Sequence, residues 1–143
     1  MGLDIACGEN IAKVGSYGNV AKIHFLLLAG LKEYLESEQE SADDERIDYL
    51  CDILRGKDGI CYEKINFQKN LLFSRDNLDG FFPFILHSNH ETGALDSSDA
   101  RDFLKTFEIV KDHLDEELKF HDEFYLNDIF QESVTTGETI HFF

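Results

Sequence analysis

The sequence predicts a helix-dominated α+β fold, and three observations carry that expectation. Apolar residues recur at helical spacing over most of the chain, the β-like stretches are short and scattered, and Pro83 is the only proline in 143 residues. The pattern amounts to about four helices with three or four short strands. No Pro-rich or Gly/Ser-rich linker interrupts it, so residues 1–143 read as a single domain.

The opening Gly2 to Gly8 alternates weakly, as a short strand does. Gly15-Ser16-Tyr17-Gly18-Asn19 then reads as a turn and N-cap before a long helix running from Asn19 to Glu38. Val20, Ile23, Leu27, Leu31 and Tyr34 share one face of that helix. Phe25, Leu26 and Leu28 make its middle apolar almost all round, which predicts a central position. Ser41 to Asp44 resembles a capping box, followed by Ile47, Leu50, Cys51 and Leu54 at helical spacing up to Gly56.

Ile60 to Phe67 and Phe81 to Leu86 read as strands, the second because Pro83 argues against a helix there. From Ser98 the chain is helical again. Phe103, Phe107, Val110, Leu114 and Leu118 lie on one face, with Glu108, Asp112, Asp115 and Glu116 turned away. Leu126, Ile129, Phe130 and Val134 mark a fourth helix ending near Gly137, after which Thr139 to Phe143 returns as a strand.

Twenty-nine acidic residues against thirteen Lys and Arg leave a formal charge of −16. Such a surface repels a polyphosphate backbone, which excludes nucleic acid as a partner. The longest apolar run, Phe25 to Gly30, is far short of a membrane span, and neither a signal peptide nor a myristoylation signal is recognisable, Ala6 standing where the latter needs Ser or Thr. No membrane is expected. Cys7, Cys51 and Cys61 form no even set and no paired motif, which fits a reducing compartment and a cytoplasmic location.

The densest polar cluster runs from His87 to Asp99. Counted as a calcium loop from Ser88, it places Gly93 sixth, Asp96 ninth and Asp99 twelfth, but Ser88, His90 and Thr92 stand where the carboxylate ligands belong. The simpler expectation is a surface loop turned by Gly93, with Asp96 or Ser97 capping the next helix. His87, His90 and Glu91, joined by Asp96, form the alternative: ligands for a divalent cation such as Zn²⁺ or Fe²⁺. His113, Glu117 and His121 repeat every four residues, yet eight residues of helix span about 12 Å, too far for one ion. They read as the edge of a solvated helix. His24 falls on the apolar face of the first long helix and reads as a core histidine with satisfied hydrogen bonds. The cysteines read as inert thiols. Backbone N–H groups after Gly15 to Asn19 could hold an anion, but the lysine of a phosphate-binding loop is missing.

The start Met1-Gly-Leu-Asp-Ile5, the Gly15-Ser16-Tyr17 turn before a helix and the apolar run ending in His87-Ser88 together resemble a family of small uncharacterised acidic proteins. In that family the last piece reads His-Ser-Asp-x-Asp/Glu-Gly before a helix. Here Asn89 replaces the Asp, Glu91 matches the acidic place and Thr92 precedes Gly93. The resemblance implies one domain and points to two loops.

The functional expectation is a non-enzymatic domain, without a cofactor, that binds a small molecule or a protein. Its surface is the Gly15–Asn19 turn and the His87–Glu91 loop, through Ser16, Tyr17, His87, Asn89, His90 and Glu91. Two alternatives stand beside it. One is a metal-dependent hydrolase-like enzyme built on His87, His90, Glu91 and Asp96, and the other an acidic mimic of nucleic acid.

Overall fold

The computed structural model describes residues 2–38, 45–55, 59–88, 93–114 and 123–143. Strands β1 (Gly2–Cys7) and β2 (Asn10–Ser16) form an antiparallel hairpin, turned at Gly8 with φ +60°. The register shift between Leu3 and Asp4 leaves Val14 as an extra residue on β2, a bulge that bends the outer strand. β4 (Ile140–Phe142) pairs antiparallel with both β1 and the two-residue β3 (Ala94–Leu95), so the sheet order is β2-β1-β4-β3. Ile5, Cys7, Leu95, Ile140 and Phe142 are buried while His141 is exposed, the alternation expected of a sheet covered on one face.

The helices build the rest of the α+β domain. α1 (Tyr17–Ser37) buries Val20, Ile23, Leu27, Leu28, Leu31 and Leu35 and packs against strands and helices alike, as its nearly all-round apolar middle predicts. The expected turn at Gly15–Asn19 is absent. β2 continues to Ser16, its backbone paired with β1, and the helix begins at Tyr17 without an intervening loop. α2 (Glu45–Ile53) packs on α1 and buries Tyr49, Leu50 and Ile53. Its expected cap at Ser41–Asp44 and the stop at Gly56 lie outside the described residues.

Both interior strands expected between Ile60 and Leu86 are corrected. Residues Tyr62–Lys64 form a 3₁₀ turn and Phe67–Asn70 the short helix α3. Asn66 caps α3 by accepting from the Gln68 and Lys69 N–H groups, at 2.8 and 3.4 Å. Asn66 N–H in turn donates to the Tyr49 hydroxyl, which donates to Asn70 Oδ1, tying this segment to α2. A second 3₁₀ turn, Leu71–Asp76, ends at Asn77 with φ 58°. Phe81–His87 is then helix α4, not a strand. Pro83 is its third residue, where the backbone N–H has no intrahelical acceptor, so proline forfeits no bond.

α5 (Ser97–Val110) starts at the Asp96 cap, whose carboxylate accepts from Asp99 N–H at 2.8 Å. It ends earlier than its apolar pattern suggests, passing into a 3₁₀ turn over Lys111–His113. Asp115, Glu116 and Leu118 lie outside the described residues. α6 (Glu123–Thr136) packs along α5 and stops before Gly137, φ +78°. Where these helices meet β4, Phe84, Phe103, Phe130 and Phe142 stack into an aromatic core, with Phe103 and Phe130 centred 4.2 Å apart. No helix among the described residues is long and apolar enough to cross a membrane.

Candidate functional site

Position 24 shares the buried face of α1 with Val20, Ile23, Leu27 and Leu31, so an imidazole there is carried into the interior. Both ring nitrogens then need partners. Tyr62, from the 3₁₀ turn, lies 2.8 Å from Nδ1, and Ser88 Oγ, at the end of α4, lies 2.6 Å from Nε2. Phe84 meets the ring edge-on at 5.4 Å. Burial pushes the His24 pKa down to about 3, so the ring is neutral and donates to one hydroxyl while accepting from the other. The same loss of water raises the Tyr62 phenol. His24 is therefore the satisfied core histidine that its surroundings predict.

Ser88 has a second role. Its N–H donates to Phe84 O at 2.9 Å and closes α4, so the residue following His87 is held by its backbone to α4 and by its side chain to α1. Gly93, where the described chain resumes, is held as well. Its carbonyl accepts from Phe142 N–H at 2.9 Å, and a Cβ on it would stand 2.0 Å from His87 O, an approach open only to glycine. Ser88 is thus fixed to α1 and Gly93 to β4.

His87 itself is exposed at the last turn of α4. Asn89, His90 and Glu91, with Thr92, lie outside the described residues. Asp96 is engaged as the cap of α5, the simpler of the two roles expected for it. Burial, then the neighbouring Asp96, raises the Asp99 carboxyl. Ser16 and Tyr17 occupy the β2–α1 junction, and their side chains lie outside the described part of the structure. Tyr17 precedes His24 by roughly 10 Å of helix, so α1 is the element that links the two expected surfaces.

His113 lies in the 3₁₀ turn after α5, not on the helix expected there, and rests edge-on against Tyr34, with Nδ1 3.7 Å from Glu33 and Nε2 3.4 Å from Ser37 Oγ. Glu117 and His121 lie outside the described residues. The three cysteines are free thiols, Cys7 buried and its pKa raised by that burial and by Glu138. Among the described residues, no three His, Cys, Asp or Glu side chains gather as a metal site does. The Ser88–His24 pair has the residue types of a nucleophile and its base, but both side chains are fully buried, so their hydrogen bond serves as an internal tie.

Sequence reasoning placed His24 correctly and missed its partners. Tyr62 falls in a stretch expected as a strand, and the fully buried Ser88 in one expected as a surface loop. The available signal was the rule that a core histidine requires two polar partners, which says that they exist but not where they are. Comparison with known proteins finds no matching family, no similar curated protein and no similar solved structure.

Proposed function

We propose that the protein is a non-enzymatic domain that binds a small molecule or a protein partner through the His87–Glu91 segment, with Ser16 and Tyr17 at the head of α1 as its second element. The observation that supports this reading is the fixed root of the segment, Ser88 held by His24 and Gly93 held by Phe142 N–H. Flanking residues held to the core at Ser88 and Gly93 give recognition a fixed base. His87, Asn89, His90 and Glu91 bring ring nitrogens, an amide and a carboxylate to it. The formal charge of −16 favours neutral or basic partners. The free thiols suit a reducing, cytoplasmic setting.

The test compares what the wild-type chain and the triple variant H87A/H90A/E91A retain from a cell extract, with circular dichroism and thermal melting as controls for folding. At least one binder should fall by about tenfold or more in the variant. Identical binders for both chains sink the proposal. Zinc or iron present at one ion per chain after chelator-free purification, and lost in the variant, transfers the segment to the metal-dependent hydrolase reading. Retention of basic DNA-binding proteins, unchanged in the variant, transfers function to the acidic surface as a whole.

A further inference from the structure

We infer that the outer face of α5, with the adjoining part of α6, is a docking groove for an acidic amphipathic helix of a protein partner. This surface is separate from the His87 segment. The starting observation is that α5 carries two stripes. Ala100, Phe103, Thr106, Phe107 and Val110 are buried. Arg101, Leu104, Lys105, Glu108 and Ile109 follow the spacing i, i+3, i+4, i+7, i+8 on the other face, the pattern of a second helix contact. Together with Val134 of α6 they line an open groove of about 540 Å³. Leu104 and Val134 are half-buried and Ile109 is 36% exposed, so aliphatic surface remains in contact with water.

Charge identifies the occupant. Arg101 and Lys105 are exposed, and neither lies within ion-pair distance of a carboxylate among the described residues. Glu108, the one acid of the groove, is bonded to Lys111 at 2.8 Å. Their charge reaches the partly buried Asp102 carboxylate on the same helix, but neither cation has a direct ion pair among the described residues. An apolar floor with two such cations is thus set into a chain whose acidic residues outnumber its basic ones by 29 to 13. Its complement is a row of aliphatic side chains flanked by carboxylates. The two cations stand one helical turn apart, roughly 6 Å, and the stripe from Arg101 to Ile109 runs roughly 12 Å. That spacing matches two carboxylates one turn apart beside the apolar seam of a helix, not the single head group of a small acid.

The probe is a fluorescein-labelled helical peptide of roughly sixteen residues in an alanine background, with Leu at i, i+3 and i+7 flanked by Glu. A control peptide carries Lys in place of every Glu. Both are titrated against the full chain at about 0.15 M salt, where the distant net charge is screened over ~8 Å but direct rim contacts persist. The Glu peptide should bind at least about tenfold tighter than the Lys peptide and shift the amide resonances of residues 104, 105, 109 and 134. R101E/K105E should reverse that preference, and I109D should weaken both peptides. Equal affinities, no saturable binding up to about 1 mM, or an R101E/K105E variant that binds as the wild type does each overturn the inference. So does sedimentation showing a dimer of this chain that R101E/K105E dissolves, which makes a second copy the occupant.

Discussion

Phe84 has aromatic rings on one side and hydrogen-bonded polar groups on the other. Towards α5, α6 and β4 it meets Phe103, Phe130 and Phe142 at 5.5, 5.7 and 6.0 Å. Towards α1 it meets His24, whose two ring nitrogens are engaged by Tyr62 and Ser88. The two regions are equally buried at their centres, with Phe103 at 1% exposure and His24 at 0%. They differ in how they respond to loss. Each aromatic ring contributes many small contacts, so truncation leaves a cavity but no unpaired donor. Each polar group contributes one directional bond, so its removal strands its partner in a medium without water.

The largest effect should come from the aromatic side. Phe103→Ala is expected to lower stability by about 3 to 5 kcal/mol, read from urea denaturation midpoints at constant slope. A loss below about 1 kcal/mol would show that the cluster around Phe103 repacks freely. On the polar side, His24→Leu keeps volume but leaves the Ser88 hydroxyl buried and unpaired, with an expected loss of about 1 to 3 kcal/mol. Adding Ser88→Ala to that variant should restore part of the loss. Strict additivity of the two changes would mean that their 2.6 Å contact carries no energy.

The third effect is confined to the polar side and depends on pH. The folded-state pKa of His24, about 3, lies below the ordinary value of about 6.5, so between the two only the unfolded chain binds this proton. The contribution of His24 is fully present above pH 6.5 and is lost as pH falls towards 3. Between pH 7.5 and 5.5 the wild type should lose about 1.4 kcal/mol more than His24→Leu does. Parallel pH profiles for the two chains would show that His24 takes up its proton in the folded chain as it does in the unfolded one. The smallest effect is expected from Tyr62→Phe, about 0.5 to 1.5 kcal/mol, because this half-buried site admits water to the freed nitrogen more readily than Ser88 does.

The same contrast explains what was legible in the sequence. α2, α5 and α6 carry an apolar stripe at helical spacing and α1 is apolar almost all round in its middle, patterns that reveal all four. β1 and β4 were also readable, from alternation and from the stop at Gly137. α4 was not, because Pro83 argues against a helix everywhere except in its first turn, and the sequence does not say which turn Pro83 occupies. The strand expected at Ile60–Phe67 was lost to local chemistry: Asn66 satisfies the N–H groups that open α3, and Tyr49 satisfies Asn66. β2 was hidden because it becomes a strand only by pairing with β1, and the glycines at 15 and 18 suggested a turn. The tie between His24, Tyr62 and Ser88 joins residues 38 and 64 positions apart, a distance over which spacing carries no information. The groove on α5 was legible in principle, since Arg101, Leu104, Lys105 and Ile109 follow helical spacing. The Phe103 stripe beside it is the stronger apolar pattern of the two.

The place of β4 in the sheet has a consequence for how the chain reaches this structure. β1 and β2 are neighbours in sequence and can pair within microseconds, as hairpins do. The other edge of β1 must wait for Ile140–Phe142, so that Ile5 finds Phe142 only after the intervening helices have been made. Loop closure over that span is entropically unfavourable and slows folding. During synthesis, the inner edge of β1 therefore stands open through the time needed to make α1 to α6. An open edge beside Ile5 and Cys7 is a template for pairing with another nascent chain. The bulge at Val14 bends the outer edge of the hairpin permanently, whereas the inner edge is closed only by the arrival of β4.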